Sequence, residues 1–162
     1  MTLSIRSATA ADAALVHTLV RELALYESLE GEMTASPDDL AAALGASPPH
    51  VSCDIAEEDG AAVGAAVWYY TFSTFVGRRG IFLDDLFVRP AHRGKGVGKA
   101  LLVHLAQRCA AEGLGRLDWY VLDWNAPAIG FYEAQGAEIH REWLPVRVSG
   151  AALARLGAEA AT

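Results

Sequence analysis

Three glycines at alternate positions, Gly94, Gly96 and Gly98, separate a short apolar run from a helical pattern in the stretch LDDLFVRPAHRGKGVGKALLVHL, Leu83 to Leu105. Glycine tolerates positive φ and lets a ligand approach the main chain closely. Successive N–H groups leading into a helix N-terminus form an anion nest, which the helix dipole strengthens. Arg93 and Lys95 add positive charge, so the expected ligand is a diphosphate. Two acids, Asp84 and Asp85, lie on the apolar run just ahead of this loop.

The elements that must position this loop follow from periodicity and turn chemistry. IFLDDLFV reads as a strand, and Val97, Leu101, Leu105 and Cys109 give the following helix, about 96–113, one apolar face. Gly113 is its expected C-terminal cap. Upstream, LSIRSA alternates as a strand. Thr9 with Asp12 resembles a capping box and starts a helix that runs to about 26–29. Ser36-Pro37-Asp38-Asp39 opens a second, short helix over about 37–45. VSCDIAEED and AAVGAAVWYYTF flank Asp59-Gly60, a strong hairpin signal, so strands two, three and four form an antiparallel meander. Downstream, RLDWYVLDW reads as a strand. Asn125-Ala-Pro127 starts a helix that Gly136 ends, one or two final strands fall in 138–148, and the tail from Ala151 is helix-prone. Strand four, its helix and strand five make a β-α-β unit, which predicts that strands four and five are parallel. The expected class is α/β, a mixed, mainly antiparallel sheet with helices on both faces.

The glycine pattern excludes two nucleotide motifs. A Walker loop needs glycine five positions before Gly98 and Ser or Thr after Lys99, and the chain has Arg93 and Ala100 there. The dinucleotide fingerprint fails because Lys99 or Leu101 stands where its third glycine belongs. What remains, Arg-Gly-x-Gly-x-Gly, resembles the pyrophosphate loop of the GNAT superfamily of acyl-CoA-dependent N-acetyltransferases. IRSATAADA…LVRELALYE, WYYTFSTFVGRRGIFLDDLFV and DWNAPAIGFYEAQGAE extend the resemblance over nearly the whole chain. They are similar to the diamine (spermidine/spermine) N-acetyltransferase branch, which includes thialysine acetyltransferases.

The resemblance implies a GNAT-like sheet with a splayed pair of strands four and five, and a set of roles. The backbone of Leu86, Phe87 and Val88 would hold the pantetheine arm and thioester carbonyl of acetyl-CoA. The loop Arg93, Gly94, Lys95, Gly96, Val97, Gly98 and Lys99 would take the pyrophosphate. Asn125, Pro127 and Ala128 resemble a second CoA-contacting segment, and Tyr132 resembles the general acid. Tyr26, Glu27, Asp118, Trp119, Tyr120 and Glu142 match substrate positions. An amine of pKa about 10 is protonated at pH 7 and cannot attack, so a carboxylate must take its proton, directly or through water. The family pattern favours Asp84, which then both binds substrate and acts as base. Successive strand residues face opposite sides, so only one of Asp84 and Asp85 faces the amine unless a bulge intervenes.

Composition bounds the rest. The 162 residues are 52% apolar, which suits one globular domain over 1–162. A net charge of −7 disfavours a nucleic-acid partner and is compatible with a cationic substrate. No leader or apolar run of membrane-spanning length is evident, so a cytoplasmic enzyme is expected. The five scattered histidines and two cysteines show no metal-ligand spacing. With no cysteine at the thioester, direct transfer in a ternary complex is expected over an acyl-cysteine route. Pro145-Val-Arg-Val is a candidate strand for subunit pairing in a homodimer. The alternatives are a GNAT enzyme acting on a protein N-terminus or an antibiotic amine, and a non-catalytic acyl-CoA sensor.

Overall fold

A computed structural model describes residues 2–159. Within them the chain divides into two units, one ending at Tyr120 and the other beginning at Val121.

The first unit is built on one sheet in the order β1-β2-β3-β4-β5, with β1 Leu3–Ser7, β2 Ser52–Glu58, β3 Ala61–Ser73, β4 Arg78–Val88 and β5 Leu117–Trp119. The first four strands are antiparallel, and β4 and β5 are parallel, as the β-α-β reading predicts. Asp59 and Gly60, both at positive φ, make the β2–β3 turn. β5 is only three residues long, against the nine that its aromatic and β-branched run suggests.

Helix α1, Ala13–Tyr26, and helix α2, Pro37–Gly45, pack on one face. Val16, Leu19, Leu23 and Leu44 meet Cys53, Ile55, Ala65, Val67 and Phe87 there. Ser36 caps α2 as expected, its N–H donating to Asp39 at 2.8 Å, whereas Thr9, whose N–H donates to Asp12 at 2.8 Å, caps a 3-10 turn, Ala10–Asp12, that precedes α1. Alternation along the strands sends Asp54 and Trp68 to the opposite face, which helix α3, Val97–Glu112, covers. Arg108 of α3 stacks 5.0 Å from the Trp68 ring, and His104 Nε2 stands 3.6 Å from Asp54 Oδ1.

Asp54 is 1% exposed and accepts from Trp68 Nε1 at 2.8 Å and from Ser7 Oγ at 2.9 Å. It ties β1 to β3 across β2. Removing it strands a buried indole N–H, a cost of about 1–3 kcal/mol, and loses the hydrogen bond from the exposed Ser7, about 0.5–1.5 kcal/mol. Asp54→Ala is therefore expected to lower unfolding stability in urea by roughly 2–4 kcal/mol. A loss below about 1 kcal/mol would mean that water replaces the carboxylate without cost.

The second unit contains helix α4, Ala126–Glu133, and helix α5, Gly150–Ala158. The final strands expected in 138–148 are not formed: residues 137–149 contain no helix or strand. A strand exists only with a paired edge, and no strand of the described chain pairs with this segment. Among the described residues no helix is long and apolar enough to cross a membrane, and no group of three or more His, Cys, Asp or Glu is arranged to hold a metal ion.

Candidate functional site

Strand β4 carries the centre of the site. Its Ile81, Phe82 and Leu83 lie in register with Leu117, Asp118 and Trp119 of β5. There the β5 pairing stops, while β3 accompanies β4 as far as Val88. From Asp84 to Val88 the edge of β4 that faced β5 therefore has no strand beside it. The N–H and C=O groups of such an edge are positions at which an extended ligand can hydrogen-bond. Leu86, Phe87 and Val88, the expected thioester-holding residues, lie on this stretch.

The splay coincides with a bulge. Trp68 lies opposite Leu83 and Val67 opposite Asp85, so Asp84 is an extra residue with no partner on β3. In a regular strand the two acids would point to opposite faces. The inserted residue resets the alternation and puts both on the face of α1 and α2. Phe82, two residues before Asp84, rests its ring 5.4 Å from Tyr69 and 5.0 Å from Tyr120. Phe87, two residues after Asp85, packs with Val67 and the α1 leucines. Glu27, directly after the last turn of α1, adds a third carboxyl to this face.

Electrostatics agree with the grouping. Burial, then the negative charges of Asp84 and Glu27, pushes the Asp85 carboxyl up to about 7. Burial also raises the proton affinities of Asp84 and Glu27. Several other acids of the unit have cations: Glu22 pairs with Arg89 at 2.9 Å, Glu30 with Arg21 at 3.0 Å, and Asp118 with Arg116 at 2.6 Å. Glu27, Asp84 and Asp85 have no cation in ion-pair range among the described residues. Partly exposed aromatic rings stand around them, with Tyr69 36% and Tyr120 71% exposed. Carboxylates bordered by aromatic faces suit an ammonium group.

The glycine loop follows β4 through a 3-10 turn, Pro90–His92. Gly94 and Gly96 sit at φ 72° and 87°, and nothing lies within 4 Å of where a Cβ would project from either. Gly96 is the N-cap of α3, and Ala100 N–H is the first to donate back, to the Gly96 carbonyl. The N–H groups of the first turn are thus left for a ligand, with no acidic side chain in that turn to compete. Val97 is buried, Gly98 partly so, and Lys95 and Lys99 are exposed. Arg93 is placed differently from a simple phosphate ligand. Its Nε donates to the Val88 carbonyl at 2.9 Å, and its guanidinium lies 4.4 Å from the centre of the Tyr26 ring. It ties the loop to the end of β4 and to the end of α1.

In the second unit, Asn125 Oδ1 accepts from Ala128 N–H at 3.3 Å, and Pro127 occupies the first turn, so the Asn-x-Pro start of α4 is formed. Tyr132 is 8% exposed, its ring centre 5.3 Å from that of Phe131. Glu142 is exposed and 3.0 Å from His140 Nδ1. Of the residues singled out in the sequence, the structure brings Glu27, Asp84, Tyr120 and the Leu86–Val88 edge to one part of the sheet, with Tyr26 joined to the loop through Arg93. Asp118 is engaged by Arg116. Not assigned to the site from sequence were Asp85, which alternation sets opposite Asp84 unless a bulge intervenes, Tyr69, which the aromatic density of WYYTF only hinted at, and Phe82, which IFLDDLFV offers simply as a strand residue.

Comparison with known proteins sets this geometry in context. Residues 16–137 match the model of the Acetyltransferase (GNAT) family. A thialysine N-epsilon-acetyltransferase of Bos taurus is 33% identical over 94% of this chain and 95% of its own length. An L-ornithine N5-acetyltransferase of Arabidopsis thaliana is 39% identical over 56% of this chain and 40% of its own length. Among solved structures, an integron cassette protein from the mobile metagenome of V. cholerae superposes with a TM-score of 0.79, at 29% identity, over 98% of this chain and 99% of that one.

Proposed function

Because the chain belongs to the GNAT acetyltransferase family, we propose that it moves the acetyl group of acetyl-CoA to a primary amine of a small cationic acceptor. A di- or polyamine or a thialysine-like amino acid is the acceptor class, and transfer is direct, in a ternary complex. The observation that carries this reading is the group of uncompensated carboxyls, Glu27, Asp84 and Asp85, bordered by aromatic rings at the point where β4 loses its β5 neighbour. Similarity to enzymes named for thialysine and ornithine, both carrying an amine on the side chain, supports it.

The residues present fit the CoA portion. The glycine loop is open where side chains would otherwise stand, and the first-turn N–H groups of α3 are free of protein acceptors. Acetyl-CoA supplies the activated acetyl thioester. Backbone N–H groups of Leu86 to Val88 hold the thioester carbonyl where negative charge develops. The loop from Arg93 to Lys99 binds the pyrophosphate, and Asn125, Pro127 and Ala128 present a second contact segment. Asp84 takes a proton from the acceptor ammonium, and Tyr132 returns one to the departing thiolate. Tyr26, Trp119, Tyr120, Asp118 and Glu142 complete the acceptor contacts in this reading.

The cysteines favour direct transfer. Burial above all pushes the Cys53 thiol up to about 12 and raises Cys109 as well. A thiol so hard to ionise is a poor nucleophile. The segment Pro145-Val-Arg-Val, with Val146 and Val148 exposed, is the one we assign to pairing as a strand in a homodimer.

Turnover decides the reading. Purified protein with acetyl-CoA is expected to release free thiol in the presence of putrescine, spermidine or thialysine, and to leave peptide N-termini and aminoglycosides unmodified. Tight CoA binding with no turnover on any amine would overturn the enzymatic part. Turnover confined to peptides or aminoglycosides would overturn the acceptor.

A further inference from the structure

A regular β4 would offer one acid to the α1/α2 face; the bulge offers two. Asp84 is the exposed extra residue, and Asp85 is partly buried, one step nearer the Leu86–Val88 edge. We propose that Asp84 and Asp85 act as one proton-accepting pair: Asp84 meets the acceptor's ammonium at the exposed rim, and Asp85, deeper on the same face, shares the proton that the ammonium gives up. This rests on the amine-acetyltransferase reading and adds Asp85 to its machinery.

The surroundings of Asp85 make it the better holder of a proton. Glu27 reaches toward it from α1, Cys53 lies on β2, Tyr69 on β3 and Asp84 beside it on β4, and none of these brings a positive charge. The guanidinium on this face, Arg93, is taken up by Tyr26 and the Val88 carbonyl. Neighbouring carboxylates that cannot both ionise freely titrate as a unit and share a proton. Asp85 sits at about 7, where an ordinary carboxyl sits near 4. Transfer from an ammonium of pKa about 10 is then uphill by about three units instead of about six, a gain of roughly 10³ in the pre-equilibrium.

The step balances without a co-reactant. An N–H bond of the ammonium breaks and its electron pair stays on nitrogen. An O–H bond forms on a carboxylate of the pair, and the neutral amine attacks the thioester carbonyl carbon. The pair later returns its proton to water, which regenerates the base.

Two measurements on the full-length protein test this. The first is ¹³C NMR titration of the aspartate carboxyls, with and without CoA. One carboxyl is expected to titrate near 7, to move toward lower pH in Asp84→Asn, and to vanish from the spectrum in Asp85→Asn. The second is the pH profile of kcat/KM on the best amine of the panel. Its acid limb is expected to shift to lower pH in Asp85→Asn, with kcat reduced at least about tenfold. Titration of the Asp85 carboxyl in the ordinary range, or indifference of its titration to Asp84→Asn, would overturn the pair. So would an acid limb left in place by Asp85→Asn. The NMR arm compares the wild type with the two variants and needs no turnover, so it decides the pair even if no amine is acetylated, and failure of the acetyltransferase reading shows separately as an inactive wild type.

Discussion

Replacing Gly96 by valine is expected to weaken acetyl-CoA binding by about 100-fold or more while the sheet stays folded. Gly96 caps α3 at φ 87°, a conformation that β-branched residues essentially do not adopt, and its missing side chain leaves open space. Valine therefore costs about 1–3 kcal/mol of backbone strain unless the cap rotates away, and rotation swings the first-turn N–H groups off the bound anion. Each hydrogen bond to a charged group is worth about 1.5–3 kcal/mol, so losing two accounts for the expected loss. The strain sits in an exposed turn, whereas α3 is held by buried Val97, Leu101 and Leu105. Calorimetric titration with acetyl-CoA, next to circular dichroism and a thermal melt, reads both halves of the expectation. An unchanged dissociation constant would remove the loop from ligand binding.

Tyr132→Phe is expected to lower kcat by about 10²–10⁴-fold, the usual worth of a positioned proton donor, with little change in the dissociation constant of acetyl-CoA. The substitution removes only the hydroxyl. The ring keeps its place on α4 beside Phe131, and the Asn125 cap is untouched. A thiolate leaving without a proton is the step that slows, so the loss belongs in kcat. Equal losses in kcat and in CoA affinity would instead assign Tyr132 to packing, a role that its 8% exposure also permits.

Much of the first unit was legible because its signals are local. Thr9 with Asp12 and Ser36 with Asp39 bring cap and capped amide within one turn. Asp59-Gly60 needs no information beyond its own positive φ values. The glycine loop is local in the same sense, since its anion-binding capacity comes from backbone that Gly94 and Gly96 free. β5 was overread because WYVLDW is apolar and aromatic enough for a strand, yet a strand persists only while a neighbour runs beside it. β4 supplies that neighbour only as far as Leu83 opposite Trp119. The same reasoning applies to Leu144-Pro-Val-Arg-Val, whose alternation has no paired edge within the described chain.

The sequence by itself determined the loop, the helix behind it and the presence of two adjacent acids ahead of it, because residue type and spacing carry those features without help. Only the tertiary structure decided which way the acids face. The side of a strand to which a residue points depends on register, and register is a property of two strands: the mismatch of Val67 and Trp68 with Asp85 and Leu83 is invisible in either run alone. Tertiary packing also made the two aspartates unequal, burying Asp85 beside the charges of Asp84 and Glu27. It turned Arg93 back onto Tyr26 and Val88. Desolvation and charge proximity act through space, so the chemistry of Asp84 and Asp85 follows from the bulge that sets them side by side.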